Sequence, residues 1–182
     1  MPLARDAGQC PPTAVWRAIC LCWERLKPGR PRELEQATRP RLPMMDLTCL
    51  FCSGDGGFKV YDDGRCRVVI ADEPFAGFCR VVWNAHVREM TDLAATERDH
   101  LMRVVFAVEA ALRALVSPNK INLASLGNVV PHLHWHVIPR FESDSHFPNP
   151  VWGAPKRRSA EPMLPPNFAA QLSARLALGL MP

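Results

Sequence analysis

Residues 131–139 read PHLHWHVIP, an alternation of histidine and apolar residues between two prolines. Successive side chains of a β-strand point to opposite faces of its sheet, so the alternation predicts a strand over 131–139. The apolar side chains Leu133, Trp135 and Val137 are expected to pack into the core. The other face carries three of the chain's six histidines in one row, which indicates a functional site. The row consists of His132, His134 and His136.

Two chemistries suit such a row of imidazoles. Neutral imidazoles bind metal ions, and a central imidazole oriented by its neighbours can attack a phosphate as a nucleophile. The preceding segment, NLASLGN at 122–128, favours the nucleophile, because a polar, glycine-containing turn offers backbone N–H groups and an amide to an anion. An oxygenase- or isomerase-like metal centre, with the metal bound to His134, stays open as the alternative.

The surrounding segments predict an antiparallel α+β domain. Strands are expected at 58–61, 66–71, 78–83 and 120–124, with a tight Asp-Asp-Gly turn between the first two. One long helix starts after Thr91 or Asp92 and stops at Ser117-Pro118, and a final helix is expected at 167–180. Short links between strands favour an antiparallel sheet with the long helix packed on it over a parallel βαβ arrangement.

The pattern His-φ-His-φ-His-φ-φ, where φ is apolar, matches residues 132–138 in full. It resembles the signature of the histidine-triad (HIT) family of nucleotide hydrolases and transferases, bacterial type. Weaker matches extend the resemblance upstream to Gly127, Asn122, Asp92, His86 and Asp72. The resemblance implies a HIT domain over about residues 46–150, followed by a C-terminal extension at 151–182.

The resemblance also implies a catalytic role for each residue of the row. His134 would attack the α-phosphate of a purine nucleotide derivative and form a nucleotidyl-histidine, from which water releases the nucleoside monophosphate. A main-chain carbonyl is expected to accept the hydrogen on the second ring nitrogen of His134. His136 and Asn122 would contact the scissile phosphate, and His132 completes the triad. Dinucleoside polyphosphates and nucleoside phosphoramidates are the expected substrates, and a homodimer is the expected assembly.

Other matched residues are implied to bind the rest of the nucleotide. Asp72 would accept hydrogen bonds from the ribose hydroxyls, and Asn128, after Gly127, would lie beside the leaving group. Many family members have Gly-Gln-Ser or Gly-Gln-Thr where this chain has Gly127-Asn128-Val129. The departure puts the leaving-group preference in doubt, and it keeps a second alternative open, a nucleotide-binding module without significant turnover.

A basic residue is missing from the expected position before His86. Family members often have Pro-Lys where this chain has Trp83-Asn84. Arg140, just past the histidine strand, is either a substitute phosphate contact that binds the nucleotide or a solvated charge at the strand end.

Cys49 and Cys52 have the C-x-x-C spacing of half a zinc site. Bacterial members that look like this chain carry such a pair near the domain start, where it joins two histidines around a structural zinc. Here His86 and His132 would complete the set of four. A pair of free thiols is the alternative. Four protein ligands leave no open position on zinc, so no cofactor is expected to be required for the chemistry itself.

Charge and composition narrow the partners. Eight of the 22 basic residues and four of the 18 acidic residues lie in residues 1–44, so that segment carries the whole formal surplus of +4. The remainder is neutral and is not expected to bind a nucleic-acid backbone. No apolar run reaches the roughly 18 residues of a membrane span, so no membrane partner is expected.

The proline-rich residues 1–44 are predicted to be a disordered or mis-called N-terminal extension, with translation starting at Met44 or Met45 as one alternative. The chain has seven cysteines, an odd number, and no secretory signal is apparent. These features predict free thiols in a reducing compartment, the cytoplasm.

Overall fold

The computed structural model describes residues 46–158 and 162–181. The predicted N-terminal extension at 1–44 lies outside the described residues. Within the described part of the chain, no helix has both the length and the apolar character needed to cross a membrane.

A five-stranded antiparallel sheet forms the centre of the fold, in the order β1-β2-β3-β5-β4. Its strands are β1 Phe58–Asp62, β2 Cys66–Ile70, β3 Cys79–Trp83, β4 Lys120–Ala124 and β5 His134–Arg140. The turn between β1 and β2 forms as predicted, with the Asp63 carboxylate accepting the backbone N–H groups of Arg65 and Cys66 at 2.9 Å each. The predicted antiparallel α+β fold is therefore confirmed, and β5 lies between two other strands.

In the described part of the chain, three α-helices accompany the sheet: α1 Leu50–Ser53, α2 Ala95–Val116 and α3 Phe168–Gly179. The long helix α2 begins later than predicted, because Asp92 accepts the backbone N–H of Glu89 at 3.2 Å and closes a separate 3₁₀ turn at Met90–Asp92. The Glu97 carboxylate then caps α2 by accepting the N–H of Ala94 at 2.8 Å. The helix ends as expected, with Ser117 in the left-handed conformation.

Helices α2 and α3 contribute to one hydrophobic core with apolar side chains of the sheet. The C-terminal segment, for which the sequence predicted a helix but no role, thus completes the main core. Fully buried residues of this core include Val68, Val81 and Val137 from the sheet, Leu101, Val105, Val108 and Leu112 from α2, and Leu172 from α3.

Strand β5 begins at His134, later than the predicted start at Pro131. Pro131 has no N–H to donate, and the N–H of Leu133 donates to the carbonyl of Val87 at 2.7 Å, outside any strand. The side-chain alternation is nevertheless as predicted, because Leu133 and Val137 lie in the helix-side core. The histidines consequently lie on the face of the sheet away from α2 and α3.

Substituting Leu172 tests whether α3 is part of the core. Leu172→Ala should lower the free energy of unfolding by about 2–5 kcal/mol, because Leu172 is fully buried and its truncation leaves a cavity. The matched control is Leu178→Ala on the same helix, where the side chain is 72% exposed and a change within about 0.5 kcal/mol is expected. Urea denaturation followed by circular dichroism measures both. Equal effects would contradict the packing of α3.

Candidate active site

The histidine row lies in the middle of the sheet. His134 is paired with Val82 of β3, and His136 lies between Arg80 of β3 and Ala124 of β4. His134 and His136 are only 5% and 7% exposed. Neutral imidazoles in such a place are favoured over charged ones, because burial penalises the charged form.

A backbone contact orients His134. Its Nδ1 lies 2.6 Å from the main-chain carbonyl oxygen of His132, as expected for a carbonyl that fixes the tautomer. A carbonyl only accepts, so Nδ1 carries the hydrogen and the lone pair is on Nε2. Burial and the charge of Arg80 lower the pKa of His134, although the hydrogen bond to His132 raises it.

His136 is the neighbour of that lone pair. The two Nε2 atoms lie 3.1 Å apart, so His136 donates from Nε2 to His134. Burial, His134 and Arg80 together lower the pKa of His136 to about 3. The Nδ1 atom of His136 is buried and has no hydrogen-bond partner among the described residues. The ring of Trp152 packs edge-on against His136, with 5.1 Å between ring centroids.

Asn122 is held beside the row by Arg140. The Nη1 group of Arg140 donates to Asn122 Oδ1 at 2.7 Å. Because a guanidinium has no acceptor, this contact assigns the oxygen of the amide and leaves its N–H₂ group available as a donor. Asn122 lies opposite Ile138 on β5, on the same face of the sheet as His136.

The prediction that Arg140 is a solvated charge is wrong, because the residue is buried against protein groups, whereas its role as a phosphate contact stays a prediction that this environment disfavours. The residue is 2% exposed, and its guanidinium binds both oxygens of Asp144 at 2.8 and 3.1 Å. Its Nη2 group also donates to the carbonyl of Asn149 at 2.8 Å. Four of its five N–H donors are therefore bound to protein groups, and one of these contacts orients Asn122.

Four potential metal ligands converge next to the row, the set predicted from the C-x-x-C pair. They are Cys49, Cys52, His86 and His132, and their ligand atoms all lie within 4.8 Å of one another. The Sγ–Nδ1 distances are 3.4 Å for Cys49–His132, 3.3 Å for Cys52–His86 and 3.5 Å for Cys52–His132. Tetrahedral zinc with bonds of about 2.3 Å to sulfur and about 2.0 Å to nitrogen separates such atoms by about 3.5 Å.

The tautomer of His132 suits a metal ligand. Its Nε2 lies 2.6 Å from the carbonyl oxygen of Trp83, so Nε2 carries the hydrogen and Nδ1 faces the thiols with its lone pair. Burial also lowers the pKa of His132, which favours the neutral imidazole that a metal requires.

Arg67 attaches the cysteine segment to the sheet, and no sequence motif identifies it. It is 6% exposed and donates to the carbonyls of Phe51, Gly54 and Asp55 at 2.6, 3.1 and 3.1 Å. It also donates to Asn84 Oδ1 at 2.8 Å. The only available signal was a basic residue within an otherwise apolar strand.

The predicted nucleotide-binding residues lie in loops that follow strands β2 and β4. Asp72 is exposed directly after β2, and Asn128 is exposed in the loop between β4 and β5. Gly127 has a φ of 70°, a conformation that favours glycine. No hydrogen bond joins these three to the row within the described part of the chain. Ser125 ties the same loop to the site by donating to the carbonyl of His134 at 2.9 Å.

A second group of potential metal ligands lies at the hairpin turn between β1 and β2. It consists of Asp63, Cys66 and His100. His100 Nε2 lies 2.7 Å from Asp63 Oδ2, which is hydrogen-bond distance. Burial raises the pKa of Cys66, so the thiol keeps its proton. We interpret this group as a structural tie between the turn and helix α2.

Comparison with known proteins identifies relatives of this fold. The HIT domain family model matches residues 56–143. A histidine triad (HIT) protein from Sinorhizobium meliloti is 30% identical with a TM-score of 0.55, over 69% of this chain and 91% of that one. A histidine triad protein from Bradyrhizobium japonicum is 27% identical with a TM-score of 0.55, over 67% and 92% of the two chains.

A more distant similarity is limited to the fold. A zinc-bound histidine triad family protein from Mycobacterium smegmatis is 24% identical with a TM-score of 0.52, over 72% of this chain and 95% of that one. No curated protein matches the sequence.

The buried Arg140–Asp144 pair leads to a stability prediction. Asp144→Asn should lower the free energy of unfolding by about 3–5 kcal/mol at pH 7, because it leaves the buried Arg140 without its counter-charge. Glu142→Gln, in the same loop but exposed, is the control and should change it by less than about 0.5 kcal/mol. Urea denaturation at a series of pH values measures both variants.

The pH series also tests the direction in which the stability difference between wild type and Asp144→Asn changes with pH. Burial raises the pKa of Asp144, but hydrogen bonds from Arg140 and from the N–H groups of His146 and Phe147 outweigh it and hold the pKa below its usual value. The contribution of the carboxylate is therefore present above about pH 4 and is lost as the pH falls through the folded-state pKa. The difference between wild type and Asp144→Asn should shrink below about pH 4, and a constant difference would contradict the ion pair.

Proposed function

Because this chain belongs to the histidine-triad (HIT) family, we propose that it is a hydrolase or transferase acting on purine nucleotide derivatives at the α-phosphate. HIT proteins bind and hydrolyse nucleotides, and the proposal assigns the nucleophile to His134. The observation that carries this assignment is the 2.6 Å contact between His134 Nδ1 and the carbonyl of His132. It places the lone pair on Nε2, where the hydrogen bond from His136 would give way to the α-phosphorus when a substrate binds.

The proposed reaction has two displacement steps at phosphorus. The lone pair of His134 Nε2 forms a bond to the α-phosphorus, and the leaving group departs with the electron pair of its P–O or P–N bond. Water then attacks the same phosphorus, the N–P bond breaks, and the nucleoside monophosphate is released. The carbonyl of His132 stabilises the positive charge on the imidazole while it is bonded to phosphorus.

The neighbouring groups are proposed to bind the rest of the substrate. The N–H₂ group of Asn122 and the Nε2–H of His136 donate to the non-bridging oxygens of the α-phosphate. Asp72, which is exposed two residues after β2, accepts the ribose hydroxyls in this proposal. Gly127 and Asn128 border the leaving group, for which a nucleotide of a dinucleoside polyphosphate or the amine of a phosphoramidate is proposed.

The geometry disfavours a metal centre made of the three histidines. The Nδ1 of His132 faces the thiols of Cys49 and Cys52, and its Nε2 faces a carbonyl. His134 and His136 instead face each other. Within the described residues, the three imidazoles therefore have no common point at which one ion could bind all of them. A binding module without turnover has the same geometry and is distinguished by the reaction itself.

We further propose that Cys49, Cys52, His86 and His132 hold a structural zinc. The support is the near-tetrahedral spacing of their ligand atoms and the tautomer of His132, and the Mycobacterium smegmatis relative is described as zinc-bound. When bound, zinc would fix the cysteine segment against the sheet. The chemistry at phosphorus needs no further cofactor.

Assembly and location are proposed from the family resemblance and the cysteines. The chain is proposed to form a homodimer, as HIT proteins often do. All four cysteines in the described residues are free thiols, which suits a reducing compartment such as the cytoplasm.

Substituting His134 tests the proposed nucleophile. Wild type incubated briefly with adenosine 5′-phosphoramidate or a diadenosine polyphosphate should show an adenylyl adduct by intact mass and should release AMP. His134→Ala should show neither, because no lone pair is left at that position. Native mass spectra of the same samples should show two chains per particle.

His100→Gln is the matched control for this experiment. It removes a histidine that is paired with Asp63, away from the row, and should keep both adduct and AMP. An adduct in His134→Ala would refute the assignment of the nucleophile. AMP binding without adduct or turnover in wild type would instead support the binding module.

Metal analysis tests the zinc site. Protein produced with zinc should contain about one zinc per chain by mass spectrometry of the elements, and Cys52→Ser should lose most of it because thiolate is the stronger ligand. Cys79→Ala removes a buried thiol outside the cluster and should keep the zinc. Zinc loss should also lower the melting temperature. Equal zinc content in the two variants would exclude this ligand set.

A further inference from the structure

The described part of the site face contains three arginines of β2, β3 and β5, and two of them have most of their donors bound to protein groups. Arg67 makes four hydrogen bonds to the cysteine segment and to Asn84. Arg140 makes four, to Asp144, Asn122 and Asn149. Because a guanidinium has five N–H donors, each has one donor without a protein acceptor within the described residues. Both side chains are almost fully buried, which disfavours contact with a bound anion.

Arg80 differs from the other two in its donors and its exposure. Its Nη1 group donates to the carbonyl of Gly56 at 3.2 Å, and its Nη2 group pairs with Glu73. A guanidinium has five N–H donors, so three have no protein acceptor within the described residues. Its side chain is 16% exposed and that of Glu73 is 33% exposed, so solvent reaches the pair.

The position of Arg80 places its charge at the histidine row. Arg80 is the direct neighbour of His136 across the β3–β5 ladder. Its guanidinium lies 5.4 Å from the ring centre of Phe78, and the ring of Phe78 lies 5.5 Å from that of His136. The stacking holds the fork against a flat apolar surface on the same side of the sheet as His136. The Arg80 charge is also among the causes that lower the pKa of His136.

We propose that Arg80 is the cation that binds the nucleotide's phosphate, with its unused N–H donors directed to non-bridging phosphate oxygens. This inference rests on the proposed function for the identity of the ligand, a purine nucleoside phosphate. It supplies the basic contact that is absent at Trp83-Asn84. Arginine suits the task because its planar fork matches the geometry of phosphate.

Glu73 is the positioning residue for this fork. Its carboxylate holds Nη2, while the carbonyl of Gly56 holds Nη1, so the guanidinium is anchored at one edge. The carboxylate also balances the charge of Arg80 before a phosphate binds. Removing Glu73 therefore removes a negative charge near the phosphate, whereas removing Arg80 removes the contact itself.

Calorimetric binding of AMP and of adenosine tests the proposal without turnover. Arg80→Gln should weaken AMP binding by about 10- to 100-fold, since hydrogen bonds to charged groups have that effect on a dissociation constant. Adenosine has no phosphate, so its affinity should stay within about twofold. Arg113→Gln removes the same charge from an exposed position on α2 and should leave both affinities unchanged.

A double variant with the net charge of wild type distinguishes a direct contact between Arg80 and the phosphate from a long-range electrostatic effect. Glu73→Gln combined with Arg80→Gln restores the net charge of wild type. If Arg80 contacts the phosphate, AMP binding by the double variant stays weak, and if only the field matters, it recovers to the wild-type value. Recovery would overturn the proposal.

Two further results would overturn the inference, and neither coincides with failure of the proposed function. One is unchanged AMP affinity in Arg80→Gln, and the other is an equal loss of AMP and adenosine binding, which would indicate a structural role only. The adenylyl adduct on His134 tests the reaction separately. An adduct with unchanged AMP binding rejects only the role of Arg80, and Arg80-dependent AMP binding without adduct rejects only the reaction.

Discussion

The candidate site depends on the three contacts made by one residue, His132. Its Nε2–H donates to the carbonyl of Trp83 on the neighbouring strand, its Nδ1 faces Cys49 and Cys52, and its main-chain carbonyl accepts the Nδ1–H of His134. The first contact makes the second possible, because it assigns the tautomer with a lone pair on Nδ1. The third links the cysteine cluster to the proposed nucleophile, His134, through the backbone, so a displacement of His132 is expected to turn the ring of His134 as well.

Two buried arginines stabilise the segments around the candidate site, and burying their charges costs desolvation energy. Arg67 holds the carbonyls of the cysteine segment, and Arg140 holds Asn122 and the loop after β5. A buried guanidinium is tolerated only when nearly every N–H has an acceptor. The backbone segments whose carbonyls accept from Arg67 and Arg140 are therefore held in place on the two sides of the site. Because these two arginines are buried and have most of their donors bound, Arg80 is the arginine of this face with several donors available for the proposed substrate. Arg67 and Arg140 thus stabilise the site, whereas Arg80 is the arginine that is proposed to bind the substrate.

The alternation in residues 131–139 was sufficient to predict the strand, the buried face and the row of histidines, because strand periodicity is a local property. The C-x-x-C spacing and the family resemblance likewise pointed to four residues that do converge. Arg140 could not be predicted, since its burial depends on Asp144 and Asn149, which reach it only through the folded loop. The late start of α2 could not be predicted either, because the 3₁₀ turn that Asp92 closes competes with the first turn of the helix. Sequence patterns indicate on which face of a strand a side chain lies. Whether a charged side chain on that face has donors available depends on partners that are distant in the sequence.

The same distinction explains where this chain can depart from its family without changing the orientation of the proposed nucleophile, His134. The orientation of His134 depends on a backbone carbonyl and on buried rings, which a side-chain change in the preceding loop does not touch. Asn128 and Val129 stand where many relatives have Gln and Ser or Thr, and both are exposed, Val129 by 93%. The hydroxyl of Ser125 ties that loop to the row at one end, and the N–H of His132, which donates to the carbonyl of Val130 at 2.8 Å, ties it at the other. A loop attached in this way can vary at its exposed tip, and such variation alters what lies beside the leaving group while the lone pair of His134 keeps its direction.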